Sequence, residues 1–340
     1  MKIGILNGGG DCAGLNAVTR AVVRKSEQLG YEVVGIRHGW AGLLKLDTVP
    51  LTWKDVSHII SQGGTILHTT RTNPFSRKDG PQTVLANAEK LGLDALVAVG
   101  GEDTLSVAAK LSPLGLKVVA VPKTIDNDIV DTDATFGFDT AVNVTVDAID
   151  RIQTTGESHD RIMVVEVMGR HAGWIAAYAG LASGANLTLV PEELVDLDEV
   201  ATFLAKRHAS GATDSIVVVG EGCVLKDYSP GNVTKTDEFG HVRLGGIGDL
   251  LARELEKRVG IETRAVVLGH VVRGGSPSAY DRILATRLAV AAVQCIKDRE
   301  FGIMVRIHGN VITKVPLIDI LGKTKNLDKE TLGLTKDFSL

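Results

Sequence analysis

The sequence predicts an α/β protein with two doubly wound lobes, each built on a mainly parallel sheet, around a cleft. Short continuous apolar runs recur along the chain, and helical patterns separate them in a repeated strand-then-helix order. A chain of 340 residues is also longer than most single domains, which favours two lobes over one. Such folds bind ligands beyond the carboxyl ends of their strands, so the turns that follow the strands are where a site is expected.

The strand predictions rest on apolar runs that do not alternate with polar residues, as is typical of strands covered by helices on both faces. The predicted strands cover residues 2–6, 95–99, 117–121, 161–167, 215–220 and 264–269. The predicted helices cover residues 15–28, 104–111, 140–152, 172–181, 195–207, 249–259 and 280–298. A polar, glycine-rich stretch at 228–248 is expected to be an exposed excursion, and the tail from residue 326 a surface helix or arm.

Composition argues against nucleic acid and membrane partners. The 37 basic and 41 acidic residues give a formal charge of −4, without the basic excess that nucleic acid or an anionic membrane favours. The three cysteines lie far apart without metal spacing, and no apolar stretch is long enough for a signal peptide or a membrane span. We therefore expect a soluble, reduced, cytoplasmic protein.

A glycine turn follows the first predicted strand and leads into a helix. In NGGGDCAGLN, Gly9 and Gly10 allow backbone amides to approach an anion near the positive end of that helix. Glycines in such turns are equally common for packing alone, and neither GxGxxG nor GxxxxGK[ST] is present. By itself the turn therefore leaves both interpretations open.

Two acidic turns follow the strands at 95–99 and 117–121. In GGEDT, Glu102 offers a hard oxygen ligand of the kind that holds Mg²⁺ together with phosphate oxygens, although Asp103 before Thr104 is also typical of a helix N-cap. In VPKTIDND, a carboxylate such as Asp126 could accept a proton from an attacking hydroxyl while Thr124 orients it. Together the two turns predict a site for phosphate and metal.

Lys123, in the second of these turns, adds a cation for phosphate. Further polar groups follow other apolar runs, and their types suit a sugar phosphate. Arginines make forked bonds to phosphate oxygens, whereas a glutamate or histidine suits sugar hydroxyls. The candidates are Arg161, Arg170, Arg264, Arg273, Glu221 and His270. Taken singly, such an arginine is usually a surface ion pair, and His270 and Met168 are each more typical of core or supporting positions.

The ordered set GGGDCAGLNAVTR, SQGGTILHTTR, GGEDT, PKTIDND, RIMVVEVMGRHAG, GEG and ETRAVVLGHVVRGGSPSAYDR resembles the phosphofructokinase family over roughly residues 1 to 310. The resemblance implies Mg²⁺-dependent phosphoryl transfer to the 1-hydroxyl of fructose 6-phosphate in glycolysis or gluconeogenesis. Asp126 would be the proton acceptor with Thr124 beside it. Glu102 would be the metal-site acid, and Arg71 the cation over the migrating phosphoryl group.

The same resemblance assigns the sugar pocket. It implies that Met168, Gly169 and Arg170 line this pocket together with Glu221.

It also implies that His270 and Arg273 reach the 6-phosphate, and that Arg161 and Arg264 are lent by a neighbouring subunit. The protein is then expected to be a homo-oligomer, a dimer or a tetramer. The donor lobe would comprise residues 1–140 with about 272–325, and the sugar-phosphate lobe about 141–271 with the tail.

Two residues depart from the pattern of the ATP-using members. Those members typically read GGDG and PGTIDND, whereas this chain has Asp103 and Lys123 in place of two glycines. A carboxylate 4 Å from the α-phosphate of ATP would repel it by ~4 kcal/mol at an effective dielectric of 20. The pair resembles the pyrophosphate-dependent branch of the family, which implies pyrophosphate as donor, a reversible reaction, and Gly9 and Gly10 beside it. Lys123 alone does not decide the donor, because some ATP-using relatives carry PKTIDND while they keep glycine in the earlier motif, so Asp103 is the deciding residue.

Three other interpretations stay open from the sequence. An ATP-dependent phosphofructokinase would tolerate Asp103 through a shifted loop, and a sugar-phosphate sensor would need only the arginines. A dinucleotide-dependent oxidoreductase is suggested by the glycine turn alone, but EVVGIRHG offers no acidic residue for a ribose at the end of the second strand-like run.

Overall fold

The computed structural model describes residues 1–226 and 245–339. In chain order the strands are β1 Lys2–Gly8, β2 Glu32–Ile36, β3 Thr48–Leu51, β4 Ala95–Gly100, β5 Val118–Pro122, β6 Ile162–Val167, β7 Leu187–Leu189, β8 Leu194–Val195, β9 Ser215–Gly220, β10 Val224–Leu225, β11 Thr263–Val267, β12 Ile303–His308 and β13 Val311–Pro316. The helices are α1 Leu15–Gln28, α2 Trp40–Lys45, α3 Gly80–Lys90, α4 Glu102–Leu111, α5 Phe138–Ser158, α6 Trp174–Ser183, α7 Leu197–Ala209, α8 Ile247–Val259, α9 Ala279–Lys297 and α10 Lys329–Asp337.

The larger sheet has seven strands in the order β13-β12-β5-β4-β1-β2-β3. Its five inner strands are parallel, and only the edge strands β3 and β13 run antiparallel to their neighbours. The inner strands β1, β4 and β5 are apolar and buried along almost their whole length because helices cover both faces. Strand order reverses between β1 and β4, which is where an open α/β sheet forms its ligand crevice.

The smaller sheet has four parallel strands in the order β11-β6-β9-β7, and β8 and β10 form a separate pair. Its central strands β6 and β9 are buried at every position. The prediction of an α/β fold with two mainly parallel sheets is therefore confirmed. The lobe boundaries stay a prediction, although the larger sheet draws on residues 2–122 and 303–316 and the smaller on residues 162–267.

One cluster of buried apolar side chains runs from the larger sheet to the smaller. It includes Ile3 and Val97 of the larger sheet and Val165 and Val218 of the smaller, and helices α1, α5, α6 and α9 contribute to it between them. The two sheets thus share a core.

All six predicted strands are present with ends shifted by at most two residues, and α1 matches its prediction at both ends. Helix α5 is longer than the predicted 140–152, because its polar last turns continue the helix to Ser158. The tail forms the helix α10, one of the two expected forms. Most of the excursion predicted at 228–248 lies outside the described residues. In the part of the chain that the structure describes, no helix combines the length and apolar character that a membrane crossing requires.

Candidate active site

The turns that follow β1, β4 and β5 meet at one edge of the larger sheet. The register aligns Gly8 with Gly100 and Gly100 with Pro122, so the three strands end level. The amide of Lys123 donates to the carbonyl of Gly100 at 2.9 Å, which extends the ladder past the end of β5. The glycine turn and the two acidic turns predicted from sequence are therefore neighbours in space.

Thr104 explains two of the glycines. Its side chain is buried between the ends of β1 and β4, and a Cβ atom added to Gly8 or Gly100 would overlap it. These two glycines therefore serve packing, and for Gly8 this is the alternative interpretation that the sequence left open for the glycine turn. Sequence reasoning did not assign a role to Thr104.

Gly9 and Gly10 have a different environment. Gly9 has a φ of 79°, and its amide donates to the carbonyl of Thr70 at 3.1 Å, while Thr69 Oγ1 donates to the Gly9 carbonyl at 2.7 Å. The Gly9 amide is therefore bonded within the chain, and its role in binding an anion stays a prediction. The same bonds hold exposed Arg71, the next residue after Thr70, close to the glycine turn.

Lys123 lies buried beneath the glycine turn. Its side chain is 3% exposed, and its Nζ donates to the Gly10 carbonyl at 2.5 Å. Burial is the main cause that lowers the pKa of Lys123; Arg273 acts in the same direction, whereas Cys12, Asp126 and Asp11 oppose it. A cation held in low dielectric between the glycine turn and the acidic turn is well placed to attract a phosphate anion.

The first turn of α4 carries both acids of GGEDT. The helix begins at Glu102, and the N-cap is Gly101, whose backbone is extended. The interpretation of Asp103 as the helix cap is therefore wrong, because the chain enters the helix two residues earlier. Ser106 Oγ donates to Glu102 Oε1 at 2.7 Å, and the partial positive charge at the start of the helix favours both carboxylates.

The turn after β5 is shaped by its own polar groups. The amide of Asp126 donates to Thr124 Oγ1 at 3.1 Å, and Asn127 has a left-handed φ of 51°. Asn127 Oδ1 accepts from the amide of Thr135 at 3.1 Å, and Thr135 Oγ1 donates to the Thr124 carbonyl at 2.7 Å. These bonds fix the turn that presents Asp126. Asparagine tolerates the left-handed conformation better than most residues.

Three carboxylates share the space beyond this turn. Asp126 Oδ1 is buried, and no described residue donates a hydrogen bond to it. Burial and the charge of Asp126 raise the pKa of Asp128 to about 7. Burial, and then Asp126, also raise the pKa of Glu221. A desolvated carboxylate with an unbonded oxygen is suited to accept a proton from a bound hydroxyl.

Glu221 belongs to the smaller sheet, so the site lies between the two sheets. It follows β9, and its amide donates to the Val167 carbonyl at 2.8 Å at the end of β6. The turn Met168–Gly169–Arg170 follows β6; Gly169 has a φ of 139°, and a Cβ atom on Gly222 would overlap the Arg170 carbonyl oxygen. Met168 is 8% exposed and belongs to the shared core, as the core interpretation expected.

The arginines predicted to bind phosphate are held at different places. Arg161 Nη2 and Arg264 Nη2 both contact Glu262 Oε1, at 2.9 and 2.5 Å, and this shared carboxylate holds the two guanidinium groups together. Arg264 is exposed on β11, an edge strand of the smaller sheet.

Arg273 lies instead on the donor side. It ends the short 3₁₀ turn Gly269–Arg273, its Nη1 donates to the Asp11 carbonyl at 3.2 Å, and a Cβ atom on Gly10 would come within 2.8 Å of the same nitrogen. His270 is exposed in that 3₁₀ turn. Within this chain, Arg161, Arg264 and Arg273 are thus not gathered around one phosphate.

The residues present fit a magnesium ion that also takes oxygens from substrate. Glu102 has one carboxylate oxygen bonded by Ser106, which leaves the other for a ligand. Across residues 1–226 and 245–339, no group of three or more His, Cys, Asp or Glu side chains is arranged to hold a metal by itself. Mg²⁺ is commonly held by one or two carboxylates with phosphate oxygens and water, so this arrangement is compatible with it.

Two contributors to the site were given no specific role from the sequence. Asp128 stands in the TIDND motif, where the close spacing of acids already indicated mutual repulsion and functional use, and burial together with the charge of Asp126 does raise its pKa. Lys325, whose amide donates to the Asp128 carbonyl at 2.8 Å, lies almost two hundred residues downstream, and no local pattern connects it with the turn.

Comparisons with known proteins agree with this geometry. Residues 2–296 match the family model described as phosphofructokinase. The chain is 49% identical over 340 residues to the pyrophosphate–fructose 6-phosphate 1-phosphotransferase of Dictyoglomus thermophilum, covering 99% of this chain and 98% of that protein. It is also 48% identical over 332 residues to ATP-dependent 6-phosphofructokinase 3 of Streptomyces coelicolor, covering 96% of each.

A solved structure shares the fold. The pyrophosphate-dependent phosphofructokinase from Marinobacter aquaeolei superposes with a TM-score of 0.82 at 22% identity, covering 97% of this chain and 86% of that one. Overall identity is nearly the same for the two relatives named after different phosphoryl donors. The choice between those donors therefore has to be argued from individual residues.

Proposed function

The chain belongs to the phosphofructokinase family, and we propose that it transfers a phosphoryl group reversibly between pyrophosphate and the 1-hydroxyl of fructose 6-phosphate. The carboxylate of Asp103 in the first turn of α4 carries the choice of donor in this proposal, and the buried ammonium of Lys123, between the glycine turn and the Asp126 turn, supports it. A charge in that position attracts a small, highly charged donor, and it occupies space that a glycine would leave open.

Asp103 supports the same donor. It lies in the first turn of α4, shortly after the end of β4, and β4 ends level with β1, which leads into the glycine turn. A carboxylate there repels the additional phosphate of a nucleotide, whereas pyrophosphate has no group that must pass it. Lys123 and Asp103 thus act in the same direction on donor choice.

The acceptor is activated by Asp126. Its unbonded Oδ1 accepts the proton of the sugar 1-hydroxyl as the oxygen attacks phosphorus, and it returns this proton in the reverse reaction. Thr124 holds the backbone of Asp126 in place, and Arg71 lies near the glycine turn to balance charge on the migrating group. Positioning and electrostatic stabilisation are the main contributions to phosphoryl transfer.

Magnesium, held by Glu102 and donor oxygens, would neutralise charge on the phosphates. Glu221 and the Met168–Gly169–Arg170 turn bind the sugar from the smaller sheet, and His270 and Arg273 bind the 6-phosphate. For Arg273 this requires its guanidinium to leave the Asp11 carbonyl when substrate binds.

Arg161 and Arg264 complete a neighbouring subunit's site in this proposal. Exposed apolar side chains on α9 support self-association: Tyr280 is 48%, Ile283 60% and Val290 37% exposed, and their spacing places them along one side of the helix. Light scattering should show a dimer or tetramer. Substituting Glu262 with Gln should alter the KM for fructose 6-phosphate, because Glu262 holds both arginines.

A donor comparison tests the proposal directly. Initial rates are measured with fructose 6-phosphate and Mg²⁺ and either pyrophosphate or ATP, and the bisphosphate product is detected through a coupled aldolase reaction. We expect a much higher kcat/KM with pyrophosphate, and measurable formation of pyrophosphate from fructose 1,6-bisphosphate and phosphate. Comparable kcat/KM values for the two donors would refute the donor assignment.

An ATP-dependent activity is the second candidate, because a relative with that name is 48% identical to this chain. It would require the loop at Asp103 to move away from the nucleotide. ATP-supported turnover that exceeds pyrophosphate-supported turnover would establish it in place of our proposal.

A further inference from the structure

The segment between β13 and α10 crosses from one side of the candidate active site to the other. Lys325 is a half-buried residue of this segment, and it contacts both the turn that carries Asp126 and the helix that follows the Met168–Gly169–Arg170 turn. None of the roles proposed above uses this residue.

On the side of the larger sheet, Lys325 bonds the loop that begins with the Asp126 turn at two points. Its amide donates to the Asp128 carbonyl at 2.8 Å. Its Nζ donates to the carbonyls of Thr132 at 2.9 Å and Asp133 at 3.1 Å, farther along the same loop. Main-chain and side-chain bonds from one residue therefore fix the loop that begins with the proton acceptor.

On the sugar side, Lys325 contacts Trp174, the first residue of α6. Trp174 Nε1 donates to the Lys325 carbonyl at 2.8 Å, and Lys325 Nζ lies 5.0 Å from the centroid of a Trp174 ring, within range of a cation–π interaction. Trp174 is only 5% exposed, so this contact is shielded from water.

Glu192 strengthens the connection to the sugar side. Its Oε1 accepts from the amide of Leu327, two residues after Lys325, at 3.0 Å, and also from the amide of Gly173, immediately before Trp174, at 3.0 Å. The crossing segment and the backbone at the start of α6, shortly after the Met168–Gly169–Arg170 turn, are thus bonded to one carboxylate.

We propose that Lys325 is a positioning residue that sets the Asp126 turn at a fixed distance from the sugar-binding turn, so that the proton acceptor meets the 1-hydroxyl. This inference rests on the proposed phosphoryl transfer to a sugar. The backbone bonds of Lys325 join the two sides, and its ammonium group holds the Thr132–Asp133 part of the loop and the Trp174 ring in register.

The charge of Lys325 also acts on the turn that carries Asp126 and Asp128. Burial lowers the pKa of Lys325 to about 8, against the opposing charges of Asp133, Asp128 and Asp328. The same ammonium group counters the rise in the pKa of Asp128. Near neutral pH the charge is present, and it is lost as the pH rises through about 8.

The test compares Lys325→Met, which keeps the length of the side chain but removes its charge and donors, with Lys325→Arg, which keeps a charge. Lys323→Met is the matched control, because Lys323 is exposed two residues earlier on the same segment. We expect Lys325→Met to lower kcat with fructose 6-phosphate by about 10- to 100-fold, with a smaller change in the KM for pyrophosphate. Lys325→Arg should recover part of this loss, and the control should match wild type.

Fluorescence gives a readout that is independent of turnover. The difference between wild type and Trp174→Phe isolates the emission of Trp174. This emission should change with a midpoint near pH 8 as Lys325 loses its proton, and the change should be absent in Lys325→Met. If Lys325→Met does not fold, Lys325→Gln is measured in its place.

Lys325→Met with kcat and its pH profile within about twofold of wild type would overturn the inference. A wild-type protein that transfers no phosphoryl group from either donor would refute the proposed function instead. The fluorescence titration would still show whether Lys325 and Trp174 interact, so the two failures are distinguishable.

Discussion

Replacing Asp103 and Lys123 with glycine should shift the preference of the enzyme from pyrophosphate towards ATP. Lys123 directly follows β5, Asp103 lies in the first turn of α4 after β4, and our donor proposal depends on these two side chains standing in place of glycine. The double variant Asp103→Gly with Lys123→Gly therefore removes the two features on which the donor proposal depends.

The expected size follows from the position of Asp103. A carboxylate 4 Å from a phosphate charge costs ~4 kcal/mol at an effective dielectric of 20 and ~1 kcal/mol in bulk water. Asp103 is half-buried at the start of α4, so its effect should fall between these limits. We expect Asp103→Gly to raise kcat/KM for ATP by roughly 10- to 1,000-fold.

Whereas Asp103 is expected to disfavour ATP, Lys123 is expected to favour pyrophosphate. Its removal takes a buried charge from beneath the glycine turn and leaves the Gly10 carbonyl without its donor. Truncation to glycine also leaves a cavity, so Lys123→Met is the matched variant that keeps volume and removes charge. It should lower kcat/KM for pyrophosphate by about 10- to 100-fold while ATP use falls less.

The assay measures kcat/KM for both donors in wild type, Asp103→Asn, Asp103→Gly, Lys123→Met and the double variant. Asp103→Asn separates charge from size, because it removes the charge at almost constant volume. The reasoning is refuted if ATP use is unchanged in the double variant while thermal unfolding shows that it is folded. It is also refuted if Asp103→Asn behaves as wild type and only glycine has an effect, because size would then decide the donor.

Asp126→Asn should lower kcat in both directions by about 10²- to 10⁴-fold, because it removes the proton acceptor. It should not lower the unfolding temperature, because Asp126 Oδ1 accepts no hydrogen bond from the described residues. Near-wild-type turnover would show that Asp126 is not the proton acceptor. Burial and Asp126 raise the pKa of Asp128 to about 7, so the folded protein holds a proton that the unfolded chain releases, and stability falls as the pH rises from about 4 to about 7. In urea unfolding, Asp128→Asn should therefore stabilise the protein by roughly 1–3 kcal/mol at pH 8 and by little near pH 4, and an equal gain at both values would contradict the assignment. Gly222→Ala should displace the Arg170 carbonyl, destabilise the fold by about 1–3 kcal/mol and raise the KM for fructose 6-phosphate, whereas Gly333→Ala, in open space on α10, should do neither.

The buried strands could be predicted because their sequences carry the signal of burial on both faces. VVAVP of β5 and SIVVVG of β9 have no exposed position, so the apolar run and the strand coincide. Among the strands that were not predicted, β12 and β13 form an antiparallel pair at the edge of the larger sheet, and β13 is at least partly exposed throughout. Such segments gain much of their stability from a partner rather than from their own composition.

The site could be predicted where its functional residues lie close together in the sequence, within one turn. Asp126, Thr124 and Lys123 lie within four consecutive positions after a strand, and the sheet places them at the carboxyl ends of its strands as expected. Lys325 could not be predicted, because its role depends on where the chain returns after β13. The bonding of Arg161 and Arg264 to Glu262 also needed the register of β6 and β11, which aligns Met163 with Arg264.

The core shared by the two sheets has a consequence for how the protein loses its structure. Ile3 and Val97 on one sheet and Val165 and Val218 on the other are buried in one apolar cluster, so melting either sheet would expose surface that the other sheet covers. On heating, neither sheet should stay folded after the other has unfolded. Calorimetry should show a single cooperative transition, and partial proteolysis should not release one half as a stable fragment.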